Sequence, residues 1–259
     1  MEVERYHACH EYSSPPQLSG YLKISLFVSC LVDTIAPHIG VASVELLRRA
    51  GCTVDFDPRQ TCCGQPAFNS GHRAEACQVA RGVLDSLGSG NDPIVVPSGS
   101  CAAMLQRLPS LFEEGEDHER ARSVATRTRE LSQFLVQDLE VTNLGARWPG
   151  KVTWHDACHT LRELNVHSEP RQLLSEVRDL EQIEAIGCDT CCGFGGTFAV
   201  KHADVSVAMA DWKIRHIEKA GVKAVVSSDI SCLLQLGGRL RELGSDVQAL
   251  HLAEVLNTR

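Results

Sequence analysis

Two adjacent-cysteine pairs, each closed by a glycine, constrain this chain more than any other feature. They are Thr61-Cys62-Cys63-Gly64 and Thr190-Cys191-Cys192-Gly193. A single cysteine precedes each pair: Cys30 with 31 residues between, and Cys158 with 32. Another follows each pair: Cys101 after 37 residues, and Cys232 after 39. Four cysteines thus recur at offsets of 128 to 131 residues, which marks an internal duplication. The chain has twelve cysteines in all, and Cys9, Cys52, Cys77 and Cys188 have no counterpart.

The surroundings recur as well. Short β-prone runs, Ile24 to Val28 and Lys151 to His155, lead to Cys30 and Cys158. Two more, Pro93 to Pro97 and Lys223 to Ser227, lead to Cys101 and Cys232. Helical periodicity lies between them. The segment Ala36 to Ala50 opens on Pro37 and stops at Gly51. The segment Ser70 to Leu87 puts Cys77, Ala80, Leu84 and Leu87 on one face, and Lys201 to Ala220 does so with Val205, Ala208, Met209 and Trp212.

Each half reads strand, Cys, helix, strand, Cys-Cys-Gly, helix, strand, Cys. Alternating strands and helices imply an α/β fold of two βαβ-type, Rossmann-like halves with parallel sheets. Ligands of such sheets sit outside the carboxyl ends of the strands, where every repeated cysteine falls. The reading divides the chain into a flexible extension over 1–23, a first half over 24–147 and a second over 148–259. Residues 105 to 140 read as a charged connection whose clearest helix is Glu119 to Gln137, and Val247 to Leu256 as a short strand and a closing helix.

Composition narrows the chemistry. Lys and Arg number 25 against 33 Asp and Glu, a net charge of −8, which disfavours nucleic acid as a partner. The longest charge-free apolar stretch, Ile24 to Val32, is nine residues, and a membrane-spanning helix needs about 18. No transmembrane segment is expected. Met1-Glu2-Val3-Glu4-Arg5 carries no apolar signal region. A cytoplasmic location is expected, with any membrane association coming through partners. There, excess thiols point to metal or redox chemistry rather than disulfides.

Zinc sites favour CxxC pairs at short spacing. Cys188-Asp189-Thr190-Cys191 is such a pair, but it occurs in one half only. Four widely spaced thiols suit an iron–sulfur cluster, which takes one cysteine per iron in a cubane. Cys52 and Cys77 read as small core residues, and His7, Cys9 and His10 as incidental. His155-Asp156-Ala157-Cys158-His159 lacks the first cysteine of a haem-attachment motif. His155, Asp156 and His159 are candidates for hydrogen bonding or proton relay. No nucleotide motif and no catalytic triad is readable.

The strings around these cysteines resemble the CCG-type cysteine-rich domain family. Its members include the cysteine-rich subunit of heterodisulfide reductase, the iron–sulfur subunit of glycolate oxidase, and lactate-utilization proteins. The likeness to the last is the strongest. It runs from Ile24 to Arg259, through Cys62-Cys63-Gly64-Gln65-Pro66-Ala67-Phe68, Asp189-Thr190-Cys191-Cys192-Gly193-Phe194-Gly195-Gly196 and His251-Leu252-Ala253-Glu254-Val255-Leu256.

The resemblance implies an iron–sulfur electron-transfer subunit of an L-lactate-oxidising complex, inactive without two companions, a LutB-like iron–sulfur protein and a LutC-like protein. It implies two 4Fe-4S clusters, one on Cys30, Cys62, Cys63 and Cys101, the other on Cys158, Cys191, Cys192 and Cys232. The wider family's third element is CxxC. Here Ser98 and Asp229 stand at its first position, either as oxygen ligands or as strand-end turn residues. Glycolate oxidation, thiol–disulfide reduction and a zinc-stabilised scaffold without redox activity stay open as alternatives.

Overall fold

The computed structural model describes residues 22–259. The extension expected over 1–23, with His7, Cys9 and His10, lies outside them, except for Leu22 and Lys23, which open the first strand.

The first half runs β1 (Leu22–Leu26), α1 (Cys30–Ile35), α2 (Pro37–Arg49), β2 (Cys52–Asp55), α3 (Gln65–Asn69), α4 (Arg73–Leu87), β3 (Ile94–Val96), α5 (Gly99–Arg107), α6 (Glu116–Arg127), β4 (Thr128–Glu130) and the single turn α7 (Leu131–Gln133). The second runs β5 (Arg147–Trp154), α8 (Cys158–Arg162), α9 (Ser168–Ser175), β6 (Arg178–Gln182), α10 (Thr197–Lys201), α11 (Ala203–Lys219), β7 (Ala224–Ser227), α12 (Ile230–Glu242), β8 (Gln248–His251) and α13 (Leu252–Asn257). The sheets have the orders β2-β1-β3-β4 and β6-β5-β7-β8, and every pairing is parallel. The duplication is therefore one of topology as well as of spacing.

In this order the chain winds to one side of the first strand and then to the other, so a crevice opens between β1 and β3 and again between β5 and β7. The central strands are apolar because both of their faces are covered: Ile94, Val95 and Val96 are buried, as are Ala224, Val225 and Val226. One core cluster joins the halves, packing Leu26, Val95 and Leu131 with Val152, Trp154, Val226 and Leu252. Among the described residues no helix is long and apolar enough to cross a membrane.

Two sequence expectations need correction. The helix read over Glu119 to Gln137 is broken by β4, whose Thr-Arg-Glu lacks any apolar alternation. Its register with Ile94 to Val96 is set by the buried strand beside it. The face expected on the helix over 201–220 is turned outward: Val205 and Trp212 are exposed, and α11 buries Ser206, Ala210, Lys213, Ile214 and Ile217 instead.

Candidate metal centres

Each crevice gathers one set of thiols. Cys30 opens α1 directly after β1, and Cys101 lies in the first turn of α5 after β3. Cys62 and Cys63 arrive from the loop after β2. The sulfurs of Cys30 and Cys62 are 3.6 Å apart, and those of Cys63 and Cys101 are 3.4 Å apart. The second half repeats this. Cys158 opens α8, Cys232 lies in the first turn of α12, and the sulfurs of Cys192 and Cys232 are 3.2 Å apart. The Cys158 thiol faces Cys191, which also accepts the Gly193 N–H at 3.4 Å.

The glycine after each pair makes the turn possible. Gly64 and Gly193 have φ of 87° and 89°, a left-handed conformation that a side chain disfavours. The second is also closely packed: a Cβ on Gly193 would lie 2.6 Å from the Ser206 carbonyl oxygen.

The thiols perturb one another. Cys62 accepts from Cys30 and Cys63, which draws its pKa down to about 2, and Cys191 is drawn to about 2 by Cys158 and Cys192. The donors move up: Cys30 and Cys158 through those hydrogen bonds and burial, Cys63 through Cys101 and Cys62, and Cys192 through Cys191 and Cys232. Cys62 and Cys191 are thus the thiols most readily ionised in their sets. The first turns of α5 and α12 add the positive ends of helix dipoles beside Cys101 and Cys232. Four convergent thiols of this kind fit a soft metal or an iron–sulfur cluster.

Three of the cysteines without a counterpart have partners of their own among the described residues. Cys52 is buried in the shared core, its thiol pushed up to about 11 by desolvation. Cys77 donates to the Leu111 carbonyl at 3.2 Å. The Cys188 thiol is raised to about 11 by burial and by Glu184.

Ser98 and Asp229 end strands and precede helices. Both Asp229 oxygens are committed: Oδ1 caps α12 by accepting from Ser231, and Oδ2 accepts the Ser100 N–H of the other half at 2.7 Å. That bond links the residue next to Cys101 with the cap of the helix that carries Cys232. Ser98 is buried beside Ser100.

The three polar candidates do not converge. Asp156 is held by the two terminal Arg171 guanidinium nitrogens (3.0 and 2.8 Å) and by the Trp154 indole N–H (2.8 Å). His159 pairs with Glu163 at 2.6 Å and approaches Gln65 of the first half. A ring nitrogen of buried His155 lies within 4.8 Å of the Cys192 and Cys232 sulfurs, and burial together with Lys213 pushes its pKa down to about 3.

Lys213 was not among the sequence candidates, because a lysine on an amphipathic helix reads as solvent-facing. It is 2% exposed and donates to the carbonyls of Gly187 (2.7 Å), Cys188 (3.1 Å) and Thr190 (2.9 Å). It thereby holds the loop that leads into Cys191.

Two doubly wound α/β halves, each gathering thiols at its switch point, define a duplicated cysteine-rich domain protein. Residues 24–106 and 152–237 match the model of the CCG cysteine-rich domain, and the chain belongs to that family. It is 46% identical over 239 residues to the protein of Geobacillus kaustophilus named Lactate utilization protein A, covering 92% of this chain and all of that one. To the Bacillus subtilis protein of the same name it is 43% identical, with the same coverage. A crystal structure of a hypothetical protein from Helicobacter pylori shares the fold, with a TM-score of 0.56 at 8% identity, over 94% of this chain and 49% of that one.

Proposed function

We propose that this chain is an iron–sulfur electron-transfer subunit of an L-lactate-oxidising complex. One 4Fe-4S cluster is held by Cys30, Cys62, Cys63 and Cys101, and the other by Cys158, Cys191, Cys192 and Cys232. The observation that carries the reading is the pair of matched thiol sets at the carboxyl ends of two parallel sheets. Lactate as substrate rests on the relatives named Lactate utilization protein A. The companions are two further lactate-utilization subunits, and the chain works in the cytoplasm.

Bound clusters supply one-electron transfer. The chain's own groups do the rest. Helix first turns and the Gly193 N–H favour thiolates over thiols. Burial of Cys63, Cys101, Cys192 and Cys232 keeps water from the sulfurs. The Ser100 to Asp229 bond fixes the two sets relative to each other.

Anaerobic purification with metal and sulfide analysis tests this reading. About eight iron atoms and about eight acid-labile sulfides per chain are expected for two cubanes, and Cys192→Ser should lose half of each. Colourless protein with stoichiometric zinc would overturn it.

A further inference from the structure

The two thiol sets repeat, but their surroundings do not. His155 directly follows β5, as Phe27 directly follows β1, and both are buried. Neither ring nitrogen of His155 makes a hydrogen bond of good geometry, although the Cys188 backbone acts on the ring, and one nitrogen lies within 4.8 Å of the Cys192 and Cys232 sulfurs. An unpartnered imidazole in the core is costly unless something it faces accepts its N–H.

The second difference is Lys213. The helix after each Cys-Cys-Gly packs against its glycine, through Ala76 O near Gly64 and Ser206 O near Gly193. That contact aligns α4 with α11 at an offset of 130 residues (206 − 76), so the counterpart of Lys213 is Val83, which is fully buried. Where the second half has an imidazole and an ammonium, the first has a phenyl ring and an isopropyl group.

We propose that His155 and Lys213 make the second centre the electron-holding member of the pair, with the His155 N–H donating to its sulfurs and the Lys213 ammonium countering its charge. This rests on the iron–sulfur reading above. Reducing a cluster adds one negative charge. Hydrogen bonds to its sulfurs and nearby positive charge favour the reduced form, and a low-dielectric site magnifies both.

The nearby acidic groups are largely spent on other partners. Asp156 and Glu184 are paired with Arg171. Asp229 acts on Cys158 and Cys232 of the second set and so opposes the effect in part, with its Oδ2 held by the Ser100 N–H and its Oδ1 by Ser231. The first centre is therefore the harder to reduce. An electron arriving there runs downhill to the second, across the seam where Ser100 meets Asp229 and Gln65 meets His159.

A reductive titration of the intact, iron-loaded chain, followed by electron paramagnetic resonance, tests this. Two waves are expected. Cys192→Ser should keep only the lower, which assigns the higher to the second centre. His155→Phe should lower the higher wave by about tenfold in its reduction equilibrium, which is about 59 mV for one electron. Lys213→Met should move the same wave in the same direction. The reciprocal Phe27→His should raise the lower wave, and it decides the matter even where Lys213→Met fails to fold. Iron-replete protein whose waves coincide, or stay put in His155→Phe and Phe27→His, overturns this inference alone. Wild-type protein purified anaerobically without iron overturns the iron–sulfur reading, and this inference with it.

Discussion

At the scale of single residues, the repeated cysteines were the legible part of the candidate site, because one repeated spacing marks a duplication and sets them apart from the other cysteines. What lies around them was less so. Lys213 is buried only because three carbonyls from residues 187 to 190 converge on it, a tertiary arrangement that no helical period reports. Asp229 stands where the wider family has a cysteine, and its oxygens serve as helix cap and as tie to Ser100. The two Cys-Cys-Gly glycines look equivalent in sequence but differ in space. At either one a methyl group meets the left-handed backbone, a cost of roughly 1–2 kcal/mol. At Gly64 the nearest atom to a new Cβ is 3.5 Å away, whereas at Gly193 it is a backbone oxygen at 2.6 Å. Gly193→Ala should therefore destabilise the chain more than Gly64→Ala, and should also lower iron content by displacing Cys191 and Cys192. Denaturant midpoints and iron analysis of the two variants check this, and equal losses would contradict it.

At the scale of elements, helices with a clear apolar stripe were readable to within a few residues: the segments 36–50 and 70–87 are α2 and α4. Short strands were readable where apolar, as in β3 and β7, and invisible where polar, as in β4. The strands β4 and β8 end on different residues with one job. Glu130 caps α7 by accepting from Ser132 and Gln133, and His251 caps α13 by accepting the Ala253 N–H while Nε2 donates to Pro97 O across the seam. Burial raises Glu130 to about 7 and lowers His251 to about 4. The linkage signs are opposite. The raised Glu130 contributes stability that is complete below its unfolded value and lost as pH rises through about 7. The depressed His251 contributes stability that is complete above about pH 6.5 and lost as pH falls toward 4. In the wild-type chain Glu130 opposes His251, and His155, depressed to about 3, adds to the His251 side. Glu130→Gln should thus steepen the loss of stability on acidification from about pH 7 to about pH 5, and His251→Asn should make that loss shallower. Urea unfolding across that range reads both slopes, and parallel slopes in the two variants would refute the assignment.

At the scale of the whole molecule, the duplication predicted two sheets but not that they would share a core. Val95 and Val152 pack in one cluster. The guanidinium of Arg49 in the first half binds Leu256 O (3.2 Å) and Asn257 Oδ1 (2.5 Å) at the end of the second. The loops after the two Cys-Cys-Gly turns meet on one exposed face, with Ser70 Oγ and Thr197 Oγ1 3.2 Å apart, and Val200 on α10 is 83% exposed beside them. On the proposed reading, electrons enter and leave through partner proteins, and transfer favours short distances to the clusters. The companions should then cover this face. The isolated iron-loaded chain is expected to be inactive with L-lactate and a dye acceptor, and the two companion subunits should restore turnover. In the assembled complex, amide hydrogens of residues 64–71 and 193–198 should exchange at least about tenfold more slowly. Val200→Asp should weaken assembly while leaving iron content unchanged, since that side chain touches little of its own chain. Robust lactate oxidation by the chain alone would place a substrate site within it, and unprotected loops in an active complex would move the docking face elsewhere.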